Sequence, residues 1–267
     1  MNVHIFSLQG LRKQNEDTHI AVINGDGKNP KIKDINLYAV FDGHGGLQVS
    51  EFLKNSVPKY FLNKKVSYPL NKEYVVNVFN VLQNELKTKP FSKSVGSTAL
   101  IVAHYKNPND PDSSYLNILN TGDSRCILCR SNFAMPLTKD HKPNWPEEYC
   151  RISELGGKIE FDQRDRRIKD LSVSRAFGDL DATPFVTHLP DLFKYKLDKS
   201  DKFIIICCDG MLETLTNEVA VNFVLLNCYS KDTRTRINKD INIAQRLAEF
   251  ALTKGSGDNI SIIVVFF

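Results

Sequence analysis

Four acidic positions stand where an extended run meets a turn: Glu16-Asp17 ahead of Thr18, Asp42 after Phe41, Asp209 after Cys208, and Asp258 just ahead of Ile260. Charged side chains at the mouth of an apolar core are costly unless they are solvated, paired or bound to cations. A lone Asp-Gly is an ordinary turn, so the weight lies in what surrounds each one. In Leu37-Tyr38-Ala39-Val40-Phe41-Asp42-Gly43-His44-Gly45-Gly46 a buried strand runs straight into a carboxylate, an imidazole and three glycines, and Phe203-Ile204-Ile205-Ile206-Cys207-Cys208-Asp209-Gly210 repeats the arrangement. Two Asp-Gly pairs at the ends of stiff apolar strands suit rigid ligands for a cation. Hard divalent ions such as Mg²⁺ and Mn²⁺ take oxygen donors and keep several waters, so a handful of carboxylates plus a backbone carbonyl suits two of them. Too few histidines stand nearby for zinc. Two ions about 3.5 to 4 Å apart can share a bridging carboxylate and a bridging water, lower that water's pKa and aim it at phosphorus. Phosphoester hydrolysis without a covalent intermediate is the chemistry that follows.

Extended runs, recognised by apolar alternation between turn residues, are expected over 3–8, 18–23, 36–41, 97–105, 115–121, 125–130, 203–208 and 260–267. The pair flanking Gly122-Asp123 resembles a hairpin. Period-3.6 patterns predict helices near 47–61, where Pro58 is a candidate break, and near 74–86, 147–155, 217–228 and 241–252. Gly156-Gly157 is a natural stop for the third of these. A polar loop falls at 25–30, and 158–200 reads as a long irregular segment of the sort that often carries function. The chain begins and ends in strands and shows no composition break. One domain over 1–267, an α+β fold with two packed and mostly antiparallel sheets and helices outside them, is the simplest arrangement.

The 267 residues carry 35 Lys+Arg against 31 Asp+Glu and are 42% hydrophobic, with 16 Phe and 9 Tyr, which is enough to bury a core and excludes disordered and collagen-like classes. A net charge of +4 spread over this length is a weak argument for nucleic acid, and no nucleic-acid partner is expected. The longest apolar run, 203–208, is far short of the roughly 20 residues that cross a bilayer, so no membrane partner is expected either. Cys126 and Cys129 form the one C-x-x-C, but no second close pair completes a zinc site, and on a strand they would face opposite ways. Free buried thiols and the absence of a leader-like N-terminus read as an intracellular, cytoplasmic protein, with the nucleus also open to it. Arg164, Arg166, Arg167 and Lys169, interleaved with Asp162, Asp165 and Asp170, read as a solvated loop ahead of a phosphate-attracting patch.

The runs Gly10-Leu11-Arg12-Lys13-Gln14-Asn15-Glu16-Asp17, Val40-Phe41-Asp42-Gly43-His44-Gly45-Gly46, Gly96-Ser97-Thr98-Ala99, Gly122-Asp123-Ser124-Arg125, Asp140-His141-Lys142-Pro143, Ser174-Arg175-Ala176-Phe177-Gly178-Asp179, Cys208-Asp209-Gly210 and Gly257-Asp258-Asn259-Ile260-Ser261 stand in that order. Together they resemble the motif series of the PP2C-type, metal-dependent (PPM) protein serine/threonine phosphatases. The resemblance implies a four-layer αββα sandwich with two Mn²⁺ or Mg²⁺ ions at one end of the sheets, and phosphoserine/phosphothreonine proteins as substrates. By that pattern Asp42 bridges the ions, Asp209 and Asp258 complete one, and Glu16 with the Gly43 carbonyl completes the other. It also implies that Asp17 orients metal-bound water, that Asp123 matches a residue that in some members holds, with the counterpart of Asp209, a weaker third ion, that Arg12 clamps the phosphate, and that His44 protonates the departing oxygen. A guanidinium fork suits two phosphoryl oxygens, and an alkoxide leaving group needs a proton at neutral pH. Where many members have a tryptophan and an aspartate after the late Asp-Gly, this chain has Met211-Leu212-Glu213, and Glu213 is the candidate replacement at the third ion. The family's variable flap falls at about 169–192. A pseudophosphatase that binds phosphoproteins, and a nuclease or small-molecule phosphoesterase, are the competing readings; a monomer is expected.

Overall fold

A computed structural model describes residues 2–23, 35–63, 65–107, 109–162 and 165–267; the polar loop at 25–30 and Arg164 lie outside them. In chain order the strands are β1 (Asn2–Leu8), β2 (Thr18–Val22), β3 (Asn36–Phe41), β4 (Gly43–His44), β5 (Gly96–Ser97), β6 (Ala99–Asn107), β7 (Asp110–Thr121), β8 (Arg125–Arg130), β9 (Phe133–Pro136), β10 (Glu160–Phe161), β11 (Arg166–Arg167), β12 (Phe177–Gly178), β13 (Asp191–Lys196), β14 (Asp201–Cys207) and β15 (Ile260–Phe266). The α-helices are α1 (Gln48–Phe61), α2 (Lys72–Lys87), α3 (Pro146–Glu154), α4 (Asp209–Leu212), α5 (Asn217–Cys228) and α6 (Ile243–Thr253). Side-chain oxygens of Asn71, Thr216 and Asn242 cap α2, α5 and α6 by accepting a backbone N–H two or three residues on.

Period-two patterning decides the layering. One five-stranded sheet runs β1-β15-β14-β8-β9 and the other β13-β7-β6-β3-β2, with antiparallel pairing throughout. Tyr38, Val40, Leu100, Val102, Ile204, Ile206, Ile263 and Val265 meet in a dry cluster to which both sheets contribute. The alternate residues Leu37, Ala39 and Phe41 instead pack with Leu53, Val57, Phe79 and Leu82 of α1 and α2. On the other sheet Phe203, Ile205, Ile262 and Val264 pack with Val221, Val224, Leu247 and Ala248 of α5 and α6. The fold is α+β, with antiparallel sheets and flanking helices.

Several expectations change. The strands on either side of Gly122-Asp123 do not form a hairpin: β7 belongs to one sheet and β8 to the other, so Gly122, Asp123 and Ser124 carry the chain across between them. A two-residue signal between apolar runs does not distinguish a hairpin from such a crossing, because both need a tight change of direction. Pro58 does not break α1, which continues to Phe61, since the single missing N–H is offset by burial of Val57 and Phe61. The segment 158–200 is less irregular than its composition suggests, ending in β13, which pairs with β7 along six residues from Asp191↔Asn120 to Lys196↔Tyr115. Cys126 lies in the cluster between the sheets and Cys129 in the helix-side cluster, as strand alternation requires. Five of the six cysteines are buried and free, but Cys150 on α3 is free and exposed.

Antiparallel pairing also explains how distant acidic residues meet. The end of β3 pairs with the start of β2 (Phe41↔Thr18), and the end of β14 with the beginning of β15 (Cys207↔Ile262). Asp17, Asp42, Asp209 and Asp258 each lie one or two residues beyond those strand ends.

Candidate metal centre

The strand ends open into a cleft of 830 Å³ lined by Arg12, Glu16, Asp42, Gly43, His44, Asp123, Asp209 and Asp258 from the strand-end turns, and by Arg167, Leu171 and Val173 from the following segment. Ligand oxygens of Asp42, Asp123 and Asp209 all lie within 4.8 Å of one another, and Asp42 forms a second such group with Asp17 and the Cys208 thiol. The loop carrying Arg12 and Glu16 is fixed through Asn259: its side chain accepts from the Glu16 N–H at 2.8 Å and donates to the Gln9 and Gln14 carbonyls at 2.7 and 3.0 Å. Asp42 is held by its own backbone, whose N–H donates to Thr98 Oγ1 at 3.1 Å and whose carbonyl accepts from Thr98 N at 2.9 Å. Gly43 must be glycine, since a Cβ there would lie 2.3 Å from the Glu16 carbonyl oxygen.

Such crowding is electrostatically unfavourable for the protein alone. Burial, and then the charges of Asp209, Asp17, Asp123 and Asp258, drive the Asp42 carboxyl well above the usual carboxylate range. Burial and Asp123 push Asp209 up to about 8, against the opposing pull of Lys142. Burial pushes Asp17 up to about 6, partly offset by the nearby Ser261 and Cys208. Both Asp17 carboxylate oxygens are buried without a hydrogen-bond partner. Orphaned buried oxygens in a cluster of mutually repelling carboxylates fit hard divalent cations, which the all-oxygen donor set favours over soft ones. The Cys208 thiol is already engaged, donating to the Asn259 carbonyl at 3.3 Å and accepting from Ser261 N at 3.1 Å.

Two cleft residues have partners of their own. Arg12, 60% exposed, donates from Nη2 to Asp258 Oδ2 at 2.7 Å. His44 Nε2 lies 2.7 Å from Asp179 Oδ2, a carboxylate only 3% exposed. Burial alone would lower the His44 pKa, but the Asp179 hydrogen bond and charge, with Asp123 and Glu16 beyond, raise it. Glu213 is placed differently: it is exposed and does not line the cleft, and its Oε2 accepts from Ser256 Oγ and Gly257 N, both at 3.2 Å, bracing the turn that leads to Asp258.

Comparison with known proteins agrees with this geometry. The family model described as Protein phosphatase 2C matches residues 1–260. The chain belongs to the PP2C family. A PP2C-like domain-containing protein of Acanthamoeba polyphaga mimivirus is 45% identical over 177 residues, covering 60% of this chain and 98% of its own. A probable protein phosphatase 2C of Oryza sativa subsp. japonica is 32% identical over 98% of this chain, which spans about half (49%) of the rice protein. A crystal structure of serine-threonine phosphatase 2C from Toxoplasma gondii shares the fold, with a TM-score of 0.80 at 24% identity over 99% of this chain and 94% of that one.

Within this PP2C chain, the sequence motifs contained residues whose part only the coordinates reveal. Asp179 and Lys142 stand inside those motifs, but nothing in their local sequence marks what they touch. Lys142 lies against Asp123 in an ion pair. Arg167, from the segment first read as a solvated loop, lines the cleft while its guanidinium is held by Asp162 and the Asp170 carbonyl.

Proposed function

We propose that this chain hydrolyses phosphoserine and phosphothreonine in phosphoproteins, using two Mn²⁺ or Mg²⁺ ions. Glu16, Asp42, the Gly43 carbonyl, Asp209 and Asp258 hold the ions. The observation that carries this reading is the set of oxygens from Asp42, Asp123 and Asp209 within 4.8 Å of one another at the floor of the cleft. When bound, the ions supply Lewis acidity toward a phosphoryl oxygen and lower the pKa of water.

The chain's own groups do the rest. Arg12, free to leave Asp258 because its side chain is largely exposed, takes two phosphoryl oxygens with its guanidinium fork and stabilises the charge that builds on them. His44, kept protonated by Asp179, gives its proton to the departing serine or threonine oxygen. The orphaned oxygens of Asp17 accept hydrogen bonds from water on the cleft floor. Arg167 and Val173 form the wall against which the substrate peptide lies. The same reading takes 1–267 as one domain in a four-layer αββα sandwich, supported by the three apolar clusters, working as an intracellular monomer without nucleic acid. Among the described residues no helix is long and apolar enough to cross a membrane.

Turnover of a phosphothreonine peptide, p-nitrophenyl phosphate and DNA by EDTA-stripped protein, with Mn²⁺ or Mg²⁺ restored, is the test. Peptide hydrolysis that vanishes on stripping and returns with either ion is expected. Equal activity without divalent ions would defeat the proposal. Metal-dependent cleavage of DNA alone would point to a nuclease, and phosphopeptide binding without turnover to a pseudophosphatase.

A further inference from the structure

His44 meets Asp179, and the place of Asp179 is itself fixed from α2. In the small sheet β12-β5-β4, His44 pairs with Gly96 and Gly96 with Gly178. β12 is an edge of that sheet, and no further strand takes up the backbone of Gly178. Gln83 of α2 does so instead: its Nε2 donates to the Gly178 carbonyl and its Oε1 accepts from the Gly178 N–H, both at 3.0 Å. Gln83 is 4% exposed, so without its amide both backbone groups would be orphaned away from water. The same stretch of α2 grips the segment on either side of Gly178. The Phe79 ring lies 5.0 Å from that of Phe177, and Asn80 Oδ1 lies 2.9 Å from His188 Nε2.

We propose that Gln83 is a positioning residue for the proton-transfer step: it fixes Gly178, and through Asp179 it sets where the His44 imidazole stands relative to the departing oxygen. This rests on the proton-donor reading of His44 above. Gln83 does not line the cleft, so any effect it has on chemistry must pass through the residues it holds. Asp179 follows Gly178 directly and has φ 47°, a left-handed conformation that a non-glycine residue keeps only where its surroundings over-determine it. Its N–H donates to the Val95 carbonyl at 3.2 Å, its carbonyl accepts from Ala182 N at 2.9 Å, and its Oδ2 lies 2.7 Å from His44 Nε2. With Asp179 pinned in this way, a shift of Gly178 is passed to its carboxylate and on to the imidazole.

The test is kcat and KM for a phosphothreonine peptide and for p-nitrophenyl phosphate, measured with Mn²⁺ below the unfolding temperature of each variant. Gln83→Met keeps the length of the side chain and loses both bonds. It is expected to lower kcat on the peptide about 10-fold and on p-nitrophenyl phosphate less than about 2-fold, with KM for either unchanged. Placed on Asp179→Asn, the same change should cost nothing further, since a group that acts through Asp179 then has nothing left to act on. An equal loss on both substrates, a loss that adds to that of Asp179→Asn, or wild-type turnover of both overturns the proposal. His44→Gln separates this outcome from the reading beneath it. If His44→Gln slows the peptide far more than p-nitrophenyl phosphate and Gln83→Met does not, only the role of Gln83 falls; if His44→Gln slows both alike, the proton-donor reading falls and Gln83 with it. Should Gln83→Met fail to fold, Gln83→Asn, a methylene too short to reach both groups, is read by the same criteria. Failure of both to fold overturns the positioning role in favour of a purely structural one.

Discussion

His44 and Arg12 both line the cleft, but their surroundings differ, and so do the roles proposed for them. His44 is tied to a nearly buried carboxylate at 2.7 Å, which suits a group that must carry and release a proton. Arg12 is largely exposed with one carboxylate partner, which suits a group that must change partners. The two roles separate by leaving group. His44→Gln is expected to slow phosphopeptide turnover by about 100-fold or more, yet p-nitrophenyl phosphate by less than about 10-fold, because p-nitrophenolate departs without a proton. Asp179→Asn should show the same asymmetry in weaker form; an equal loss on both substrates would remove the proton-donor role. Arg12→Ala should instead lower kcat/KM on both substrates alike, by about 10- to 100-fold, the worth of a charged hydrogen bond. At this scale much was legible, since Asp-Gly at the end of an apolar strand has a physical reading without any structure. Asp179 and Lys142 were not, because each acts on a residue more than a dozen positions away, and nothing in local spacing marks that.

The elements hold these side chains through close backbone approaches. β5 is packed so tightly beneath His44 that a Cβ on Gly96 would lie 2.0 Å from Asp179 Oδ2 and 2.4 Å from His44 Nε2. Gly96→Ala must therefore displace that pair, and is expected to cost about 1 to 3 kcal/mol of stability and to reproduce the leaving-group asymmetry of His44→Gln. Denaturant unfolding and the two-substrate comparison check it; wild-type behaviour in both would show that the contact is not needed. The strands were legible because alternate residues serve different clusters: Leu37, Ala39 and Phe41 face α1 and α2 while Tyr38 and Val40 face the other sheet. β13 was not, because Asp191–Lys196 pairs along one side only and its burial is intermediate to exposed, so it lacks a strong apolar pattern. The crossing at Gly122-Asp123 was misread for a related reason: partner choice depends on distant strands, and turn chemistry does not encode it.

Across the whole molecule, two groups of charges sit in opposite balance. In the cleft, buried carboxylates repel one another; on α3, Glu148 is 2% exposed and bonded to Arg175 and Arg151. Burial opposes the Glu148 charge, but the two arginines outweigh it and hold the pKa near about 2, below the ordinary 4.5. A depressed folded-state pKa stabilises above the unfolded value and is lost as pH falls through the folded one. Glu148 should thus contribute on the order of 3 kcal/mol at neutral pH, disappearing between about pH 4.5 and 2. Glu148→Gln should lower stability at pH 7 and flatten that acid limb in pH-dependent unfolding; an unchanged limb would show that the network is not what holds the segment. The cleft is the reverse case, a cluster whose mutual repulsion raises the carboxyl pKa values and is relieved by protons or by cations, and the functional reading stands on it. Anomalous diffraction from crystals grown with Mn²⁺ and phosphate tests it most directly. The expected map has two peaks about 3.5 to 4 Å apart with Asp42 touching both and Arg12 turned from Asp258 to the phosphate, whereas no anomalous density in the cleft at millimolar Mn²⁺ would contradict the account.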